Sequence, residues 1–300
     1  MKSAFYCSLL VIIMTSSCRD SKKTPTSTKS EINNVEAVPA DSDSSQLVSP
    51  LTTTPSDRQT TTGQLLSLIR TQKMEVEKML LSASKTEANE IYESYLKSNE
   101  ILVGKIIVSE SQLLDKFYEA DAQTQSKVKK LRALLNKYDL DYDEVGEGIV
   151  EIKTKNDFYN DIFSNYVTED YKEYIAIKSE EDKVSYSADA SLLLPFEKIG
   201  ERVMLWENLL TKYPTSKLRN KIREQYQSYQ SDYLFGLDNT STVEFQGSDK
   251  SYINPENIRE FNRFMNKCPS SPTNRLIKIF VKNFKDEKIR SLIDSVQQKL

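Results

Sequence analysis

One eleven-residue pattern occurs twice in the C-terminal third of this chain, and no other feature constrains the fold as much. The first copy is Trp206-Glu207-Asn208-Leu209-Leu210-Thr211-Lys212-Tyr213-Pro214-Thr215-Ser216. The second, 55 positions later, is Phe261-Asn262-Arg263-Phe264-Met265-Asn266-Lys267-Cys268-Pro269-Ser270-Ser271. Trp206, Leu209, Leu210 and Tyr213 share one helical face, as do Phe261, Phe264, Met265 and Cys268. Pro214 and Pro269 end these helices, because the residue before a proline is driven out of the helical region. Thr215 or Ser216, and Ser271 or Thr273, then cap a second helix. That helix carries Leu218, Ile222, Tyr226, Tyr229 and Tyr233 in the first copy, and Leu276, Ile277, Phe280, Val281 and Phe284 in the second. Pro195 and Asn254-Pro255 mark where the two first helices begin.

The helix–Pro-x-Ser–helix unit resembles the tetratricopeptide-like pairs of bacterial envelope lipoproteins, including the outer-membrane assembly lipoproteins. The resemblance implies TPR-like helix-turn-helix pairs stacked at the C-terminal end. Tetratricopeptide repeats recur about every 34 residues, so the wider spacing here contains an insert at 236–251. Asn239, Gly247 and Asp249 flank Thr242-Val243-Glu244-Phe245 there, which predicts a loop or short hairpin with minor β at about 242–246. A last helix is predicted from Asp286 to Lys299, with Ile289, Leu292, Ile293 and Val296 on one face.

The N-terminal half is helical by the same periodicity. Leu65, Leu66, Ile69, Val76, Met79 and Leu80 define a first helix, and Ala88, Ile91, Tyr92, Tyr95 and Leu96 a second that runs to about Val108. A third is predicted from Ser109 or Ser111 to Tyr118, and a fourth from Thr124 to Tyr138. Leu140 to Ile152 breaks the pattern. Asp139, Asp141 and Asp143 resemble the start of an EF-hand loop and are weak metal candidates, but Glu144, Gly146 and Val150 stand where that loop needs glycine, an apolar residue and glutamate. A solvated turn leading to minor β at about 148–153 is the expectation. Helices follow over 156–166 and from Thr168 to about Ile177. The fold class is mostly α, an antiparallel helical array. It comprises an N-terminal helical region at 63–145 and a TPR-like region at 146–300, either separate or continuous.

The first residues set the compartment. Met1-Lys2, an apolar run from Ala4 to Met14, and Thr15-Ser16-Ser17 precede Cys18. The run is too short for the ~20 residues of a spanning helix. The order resembles a Bacteroidota-type lipoprotein signal peptide, which implies removal of 1–17 and lipidation of Cys18. Residues 18–62 are rich in Ser, Thr and Pro and hold no aromatic side chain, so they read as a disordered tether. The implied location is the cell envelope: a lipid anchor in the membrane, on the outer membrane facing the periplasm, with the leaflet open.

The chain has no histidine. That removes Ser-His-Asp and Cys-His catalysis and His-ligated zinc. Once the leader is gone Cys18 and Cys268 remain, and Cys268 reads as a small apolar filler. The net charge of -3 is spread along the chain and predicts no nucleic-acid partner. No cofactor motif occurs. Tyr166, Tyr171 and Tyr174, with Trp206, are the candidates for a ligand groove, although aromatics at helical spacing usually fill cores. The leading functional expectation is a non-enzymatic scaffold or adaptor whose partner is an envelope protein or cell-wall polymer. The alternatives are a glycan- or peptidoglycan-binding lipoprotein and a carboxylate-based hydrolase drawing on residues such as Glu201, Glu207 or Asp189.

Overall fold

The first three helices each start at a capping residue. Thr61 with Gln64 and Ser84 with Glu87 each close a reciprocal capping box, and Asp121 accepts from the Thr124 amide. These caps open α1 (Thr62–Leu80), α2 (Lys85–Leu114) and α3 (Ala122–Leu135). The computed structural model describes residues 60–245 and 251–299. The leader, Cys18, the tether through residue 59, and Gly247 and Asp249 of the insert lie outside the described residues.

The protein is mostly helical, with a few short antiparallel strand pairs. After α3 come β1 (Leu140–Gly146) and β2 (Ile149–Thr154), then α4 (Phe158–Phe163) and α5 (Glu169–Asp182). The short pair β3 (Ser187–Ala188) and β4 (Ser191–Leu192) precedes α6 (Phe196–Lys212) and α7 (Arg219–Phe235). The insert contains β5 (Gly236–Leu237), β6 (Thr240–Ser241), β7 (Val243–Phe245) and β8 (Ser251–Ile253). The chain continues through α8 (Pro255–Lys267), α9 (Thr273–Asn283) and α10 (Ile289–Gln297).

Two apolar cores form. One gathers Leu65, Leu66 and Ile69 with Leu102, Val103, Ile106, Leu131 and Leu135, closed by Leu140, Tyr142, Val150 and Ile152 of the β1–β2 hairpin. The other begins at Val76, Leu80, Tyr92 and Tyr95 and runs through α4 to α10, ending at Val296. The helix α2 feeds both. Its 30 residues span about 45 Å at the α-helical rise, long enough to carry one apolar stripe past both cores.

Three expectations are corrected. There is no separate helix from Ser109 or Ser111 to Tyr118; both serines lie within α2, which ends at Leu114. The stripe of Leu102, Ile106 and Leu114 stays buried, and the Ser109 hydroxyl is used sideways, 3.0 Å from that of Thr62. Second, Leu140 to Gly146 is not a solvated turn but strand β1, paired with β2 from Leu140↔Thr154 onward. Leu140 and Tyr142 point inward while Asp141 and Asp143 alternate outward, which is the two-residue period of a half-buried strand. This pairing crosses the 145/146 boundary. Third, α5 continues past Ile177 to Asp182, because Ser179 and Glu181 are buried on polar partners.

The duplicated pattern is duplicated in backbone too. Tyr213 and Cys268 end α6 and α8 with nearly identical torsions, φ -123 and ψ 65 against φ -128 and ψ 64. Ser216 and Ser271 then accept from the amides of Leu218 and Thr273 at 3.1 and 3.2 Å. The helices around these matched turns differ: α6 and α7 lie close along their lengths, whereas α9 is shared among α7, α8 and α10.

Glycine decides one corner. At Gly236 φ is 69 and ψ is -162, and a Cβ would sit 2.0 Å from the Thr240 carbonyl oxygen. Gly236→Ala is expected to lower the unfolding free energy by about 2–3 kcal/mol. Gly104, in the middle of α2, has nothing within 4 Å of a new Cβ, so Gly104→Ala is expected to raise it by about 0.5–1 kcal/mol. Urea titration of the two variants beside the parent protein checks both signs.

Candidate functional site

The aromatic positions proposed for a groove are core residues or lie against the core. Tyr171 is 1% exposed and Trp206 0%, so neither offers a face to solvent. Tyr171 meets Tyr92 edge-on at 6.0 Å and donates its hydroxyl to Glu93 Oε1 at 2.6 Å. Tyr174 packs edge-on to Trp206 at 5.7 Å. Tyr166 and Tyr174 are partly buried against the same core. Burial pushes the Tyr174 phenol up to about 12. Packing takes Tyr171 and Trp206 out of such a groove: their rings fill volume between helices, where edge-to-face contact stabilises them.

Behind Trp206 lies a buried polar network. Glu181 of α5 accepts from Trp206 Nε1 at 2.8 Å and from the Tyr229 hydroxyl at 3.0 Å. Arg202 donates to the Tyr229 hydroxyl at 2.9 Å and to the Glu181 carbonyl oxygen at 3.3 Å. Its guanidinium lies over the rings of Tyr186 and Tyr229, at 5.3 and 5.5 Å. Tyr186 donates to Asp232 at 2.7 Å. Burial raises the carboxyl pKa values of Glu181 and Asp232, against the hydrogen bonds that Trp206 and Tyr186 donate. Neither carboxyl lines the two surface depressions described below. The network locks α5, α6 and α7 together.

The other carboxylates singled out in the sequence are dispersed. Glu207 accepts from Ser271 Oγ at 2.6 Å and from the Tyr226 hydroxyl at 2.9 Å. Glu201 is bound to Lys198, which holds its carboxyl below the usual range. Asp189 sits in the β3–β4 turn and accepts from the Glu147 amide. The three acids at the start of the hairpin each face a cation: Lys73 on Asp139 at 2.8 Å, Arg132 on Asp141 at 2.8 Å and Lys153 on Asp143 at 3.2 Å. Each of the three is taken by a different cation, and among the described residues no group of three acids, cysteines or histidines is placed to hold a metal.

Two depressions open on the surface. A groove of about 260 Å³ runs between α8 and α9. Its floor is Phe261 and Ile277, both fully buried; Ile258, Met265 and Val281 form its walls, with Val281 38% exposed. Lys278 and Lys282 stand at its rim, one helical turn apart. They continue a basic stripe, Arg275, Lys278, Lys282 and Lys285, spaced three, four and three residues and exposed. A larger cleft of about 560 Å³ lies where α6 and α8 begin. Neither depression is lined by a tyrosine.

Compared with known proteins, the chain matches no protein-family model, no curated protein and no solved structure. Sequence reasoning placed Phe261, Met265, Ile277 and Val281 on apolar faces but did not find that part of those faces stays open. The available signal was the pair Lys278 and Lys282 flanking Val281, a charged border that a fully buried helix does not carry.

Because burial raises the Glu181 and Asp232 pKa values, both groups bind their protons more tightly in the folded state. That stabilisation is present below the ordinary value, 4.5 for Glu181, and is lost as pH rises through the higher folded value. Glu181→Gln removes one such loss. Its unfolding free energy relative to the parent is expected to improve as pH rises above the ordinary value of 4.5 and to level off once the folded carboxyl is ionised, measured by urea titration at each pH. A flat difference would show an unshifted carboxyl.

Proposed function

We propose that this is a lipid-anchored envelope protein that acts as an interaction scaffold, binding a partner protein without catalysis. The leader pattern supports a lipid anchor at Cys18 and a position at the outer membrane facing the periplasm. The matched turns at Tyr213-Pro214 and Cys268-Pro269 support TPR-like pairing in the C-terminal region. The one observation that carries the reading is the α8–α9 groove, whose apolar floor is bordered by solvated lysines. An apolar trough bordered on one side by positive charge fits an amphipathic helix that lays its apolar face on Phe261, Ile277 and Val281 and turns acidic side chains toward Lys278 and Lys282. The occupant is therefore a helical segment of another envelope protein with an acidic flank. Burial of Tyr171 and Trp206 takes away the aromatic face on which a glycan reading of those residues depended.

A photocrosslinking amino acid in place of Val281, in the native envelope, is expected to capture one partner through such a helix. A synthetic peptide of the captured segment is expected to bind the purified protein, and Lys278→Glu with Lys282→Glu to weaken it by about tenfold or more. A captured segment lacking acidic residues, or binding indifferent to the charge reversal, would overturn the reading. Separately, Cys18→Ser is expected to abolish labelling by a fatty-acid precursor and to release the protein from the membrane fraction.

A further inference from the structure

A thioether forms part of the groove between α8 and α9. Met265 stands on the α8 wall, in one ridge with Ile258 and Asn262. It is half-buried, packed against the core and bordering the open volume. The opposite wall carries Lys278, Val281 and Lys282.

The other sulfur atoms of the described residues are placed differently. Met74 and Met79 are 63% and 53% exposed on α1, where they line neither depression. Met204 of α6 meets Cys268 of α8, with the two sulfurs 2.7 Å apart. Burial raises the Cys268 pKa, which keeps that group a thiol and dulls it as a nucleophile. A thioether needs no deprotonation to react with a peroxide, and its product, methionine sulfoxide, is polar. On the α8 wall that product changes the chemistry of a surface. A partner's apolar face would have to cover and desolvate the new S–O dipole. The sulfoxide oxygen also accepts hydrogen bonds, and Lys278 and Lys282 are donors lining the same groove. An ammonium turned toward the sulfoxide is lost to a partner's carboxylate.

We propose that Met265 is an oxidation switch on the α8–α9 groove: a peroxide converts its thioether to the sulfoxide, and the polar wall that results releases an apolar-faced partner. The sulfur lone pair attacks one peroxide oxygen, the S–O bond forms as the O–O bond breaks, and the peroxide, reduced, leaves as water. Sulfoxide reductases reverse the step: a dithiol is oxidised to a disulfide, and the oxygen leaves as water. The switch rests on the reading of this groove as the binding surface, and adds to it a means of release.

The test uses the mature full-length chain and a probe that needs no natural partner, 8-anilinonaphthalene-1-sulfonate. Its aromatic rings suit the apolar floor and its sulfonate the lysines. Fluorescence titration gives its Kd, and Lys278→Glu with Lys282→Glu is expected to weaken binding about tenfold, which places the probe in the groove. The chain is then treated with dilute hydrogen peroxide, and oxidation is located by peptide mapping and mass spectrometry. Met265 is expected to oxidise within about tenfold of the rate of Met74, since susceptibility follows exposure. Once it is converted, probe affinity is expected to fall about fivefold or more with the circular dichroism unchanged. Sulfoxide reductases with dithiothreitol are expected to restore it. Met265→Leu is expected to keep its own untreated affinity through the peroxide step, and Met265→Gln to start out as weak as the oxidised parent. Met74→Leu with Met79→Leu is expected to respond as the parent does. A probe that fails to bind the untreated chain, or that ignores the charge reversal, overturns the groove reading and the switch with it. Binding undiminished after full conversion of Met265, loss of binding in peroxide-treated Met265→Leu, or an intact Met265 when Met74 is spent overturns the switch alone.

Discussion

The C-terminal region depends on a hydrogen bond made twice, from a turn serine to a carboxylate of an earlier helix. Proline ends a helix by sterics and leaves the next one without a start. In the first copy Ser216 supplies that start by accepting from the Leu218 amide, and its own proton goes to Asp170 of α5. In the second, Ser271 accepts from the Thr273 amide and donates to Glu207 of α6 at 2.6 Å. Each Pro-x-Ser turn is therefore clasped by an acid on an earlier helix, α5 for the first copy and α6 for the second. The chain of contacts extends backward, because Thr168, which begins α5, bonds in both directions with Asn89 of α2 at 2.8 and 3.0 Å. A helical array built only on apolar contact slides easily in register; directional, charge-assisted bonds at these two turns fix it.

The tyrosines extend the same logic into the core. Tyr171 reaches Glu93, Tyr186 reaches Asp232, Tyr226 reaches Glu207, Tyr229 reaches Glu181 and Tyr233 reaches Glu260. In each pair the ring is buried and the hydroxyl donates to an acid carried on another helix. A phenylalanine core would give similar apolar area but no means of satisfying acids drawn inside. Five tyrosines thus serve acids, of which Glu181 and Glu260 are buried and the other three half-buried. That is a property of architecture, which is why a groove inferred from tyrosine content does not materialise at Tyr171 or Trp206. The two depressions described above are lined instead by aliphatic side chains, phenylalanine and lysine at one place, and by leucine, phenylalanine, asparagine and acids at the other.

Much of the helix plan was legible because three- and four-residue periodicity, capping residues and prolines act locally. The repeat at Trp206 and Phe261 could be read to the residue at its turns, where torsions follow from the proline. Strand β1 was not legible. Asp139, Asp141 and Asp143 at alternate positions have the look of an acid cluster, and the alternating burial of Leu140 and Tyr142 becomes visible only once β2 lies alongside. The continuity of α2 was hidden by Ser109 and Ser111, which are good caps in a free helix and here are simply polar positions on its surface. The two depressions were beyond sequence for a deeper reason. Whether Val281 is covered, or Asn257 satisfied, depends on what neighbouring elements fail to bring near, and a pattern in one helix carries no record of that.

The four buried polar atoms without partners show how that distinction works. Asn99 and Asn274 each leave an oxygen unpaired, but their Nδ2 groups are engaged, with Tyr159 at 2.9 Å and with the Cys268 carbonyl oxygen at 2.7 Å. Those residues are half-satisfied members of packed junctions. Tyr95 leaves its hydroxyl unpaired inside an aromatic cluster with Phe158, Tyr159 and Phe163, where the ring supplies the stabilisation and burial forces the phenol to stay protonated. Asn257 differs in kind. It adjoins Glu260 and Phe261 on the inward face of α8, where an apolar residue would pack at less cost, and it borders open volume. Its Nδ2 is closed off without an acceptor, so the bond it forgoes is a cost of packing at the first turn of α8.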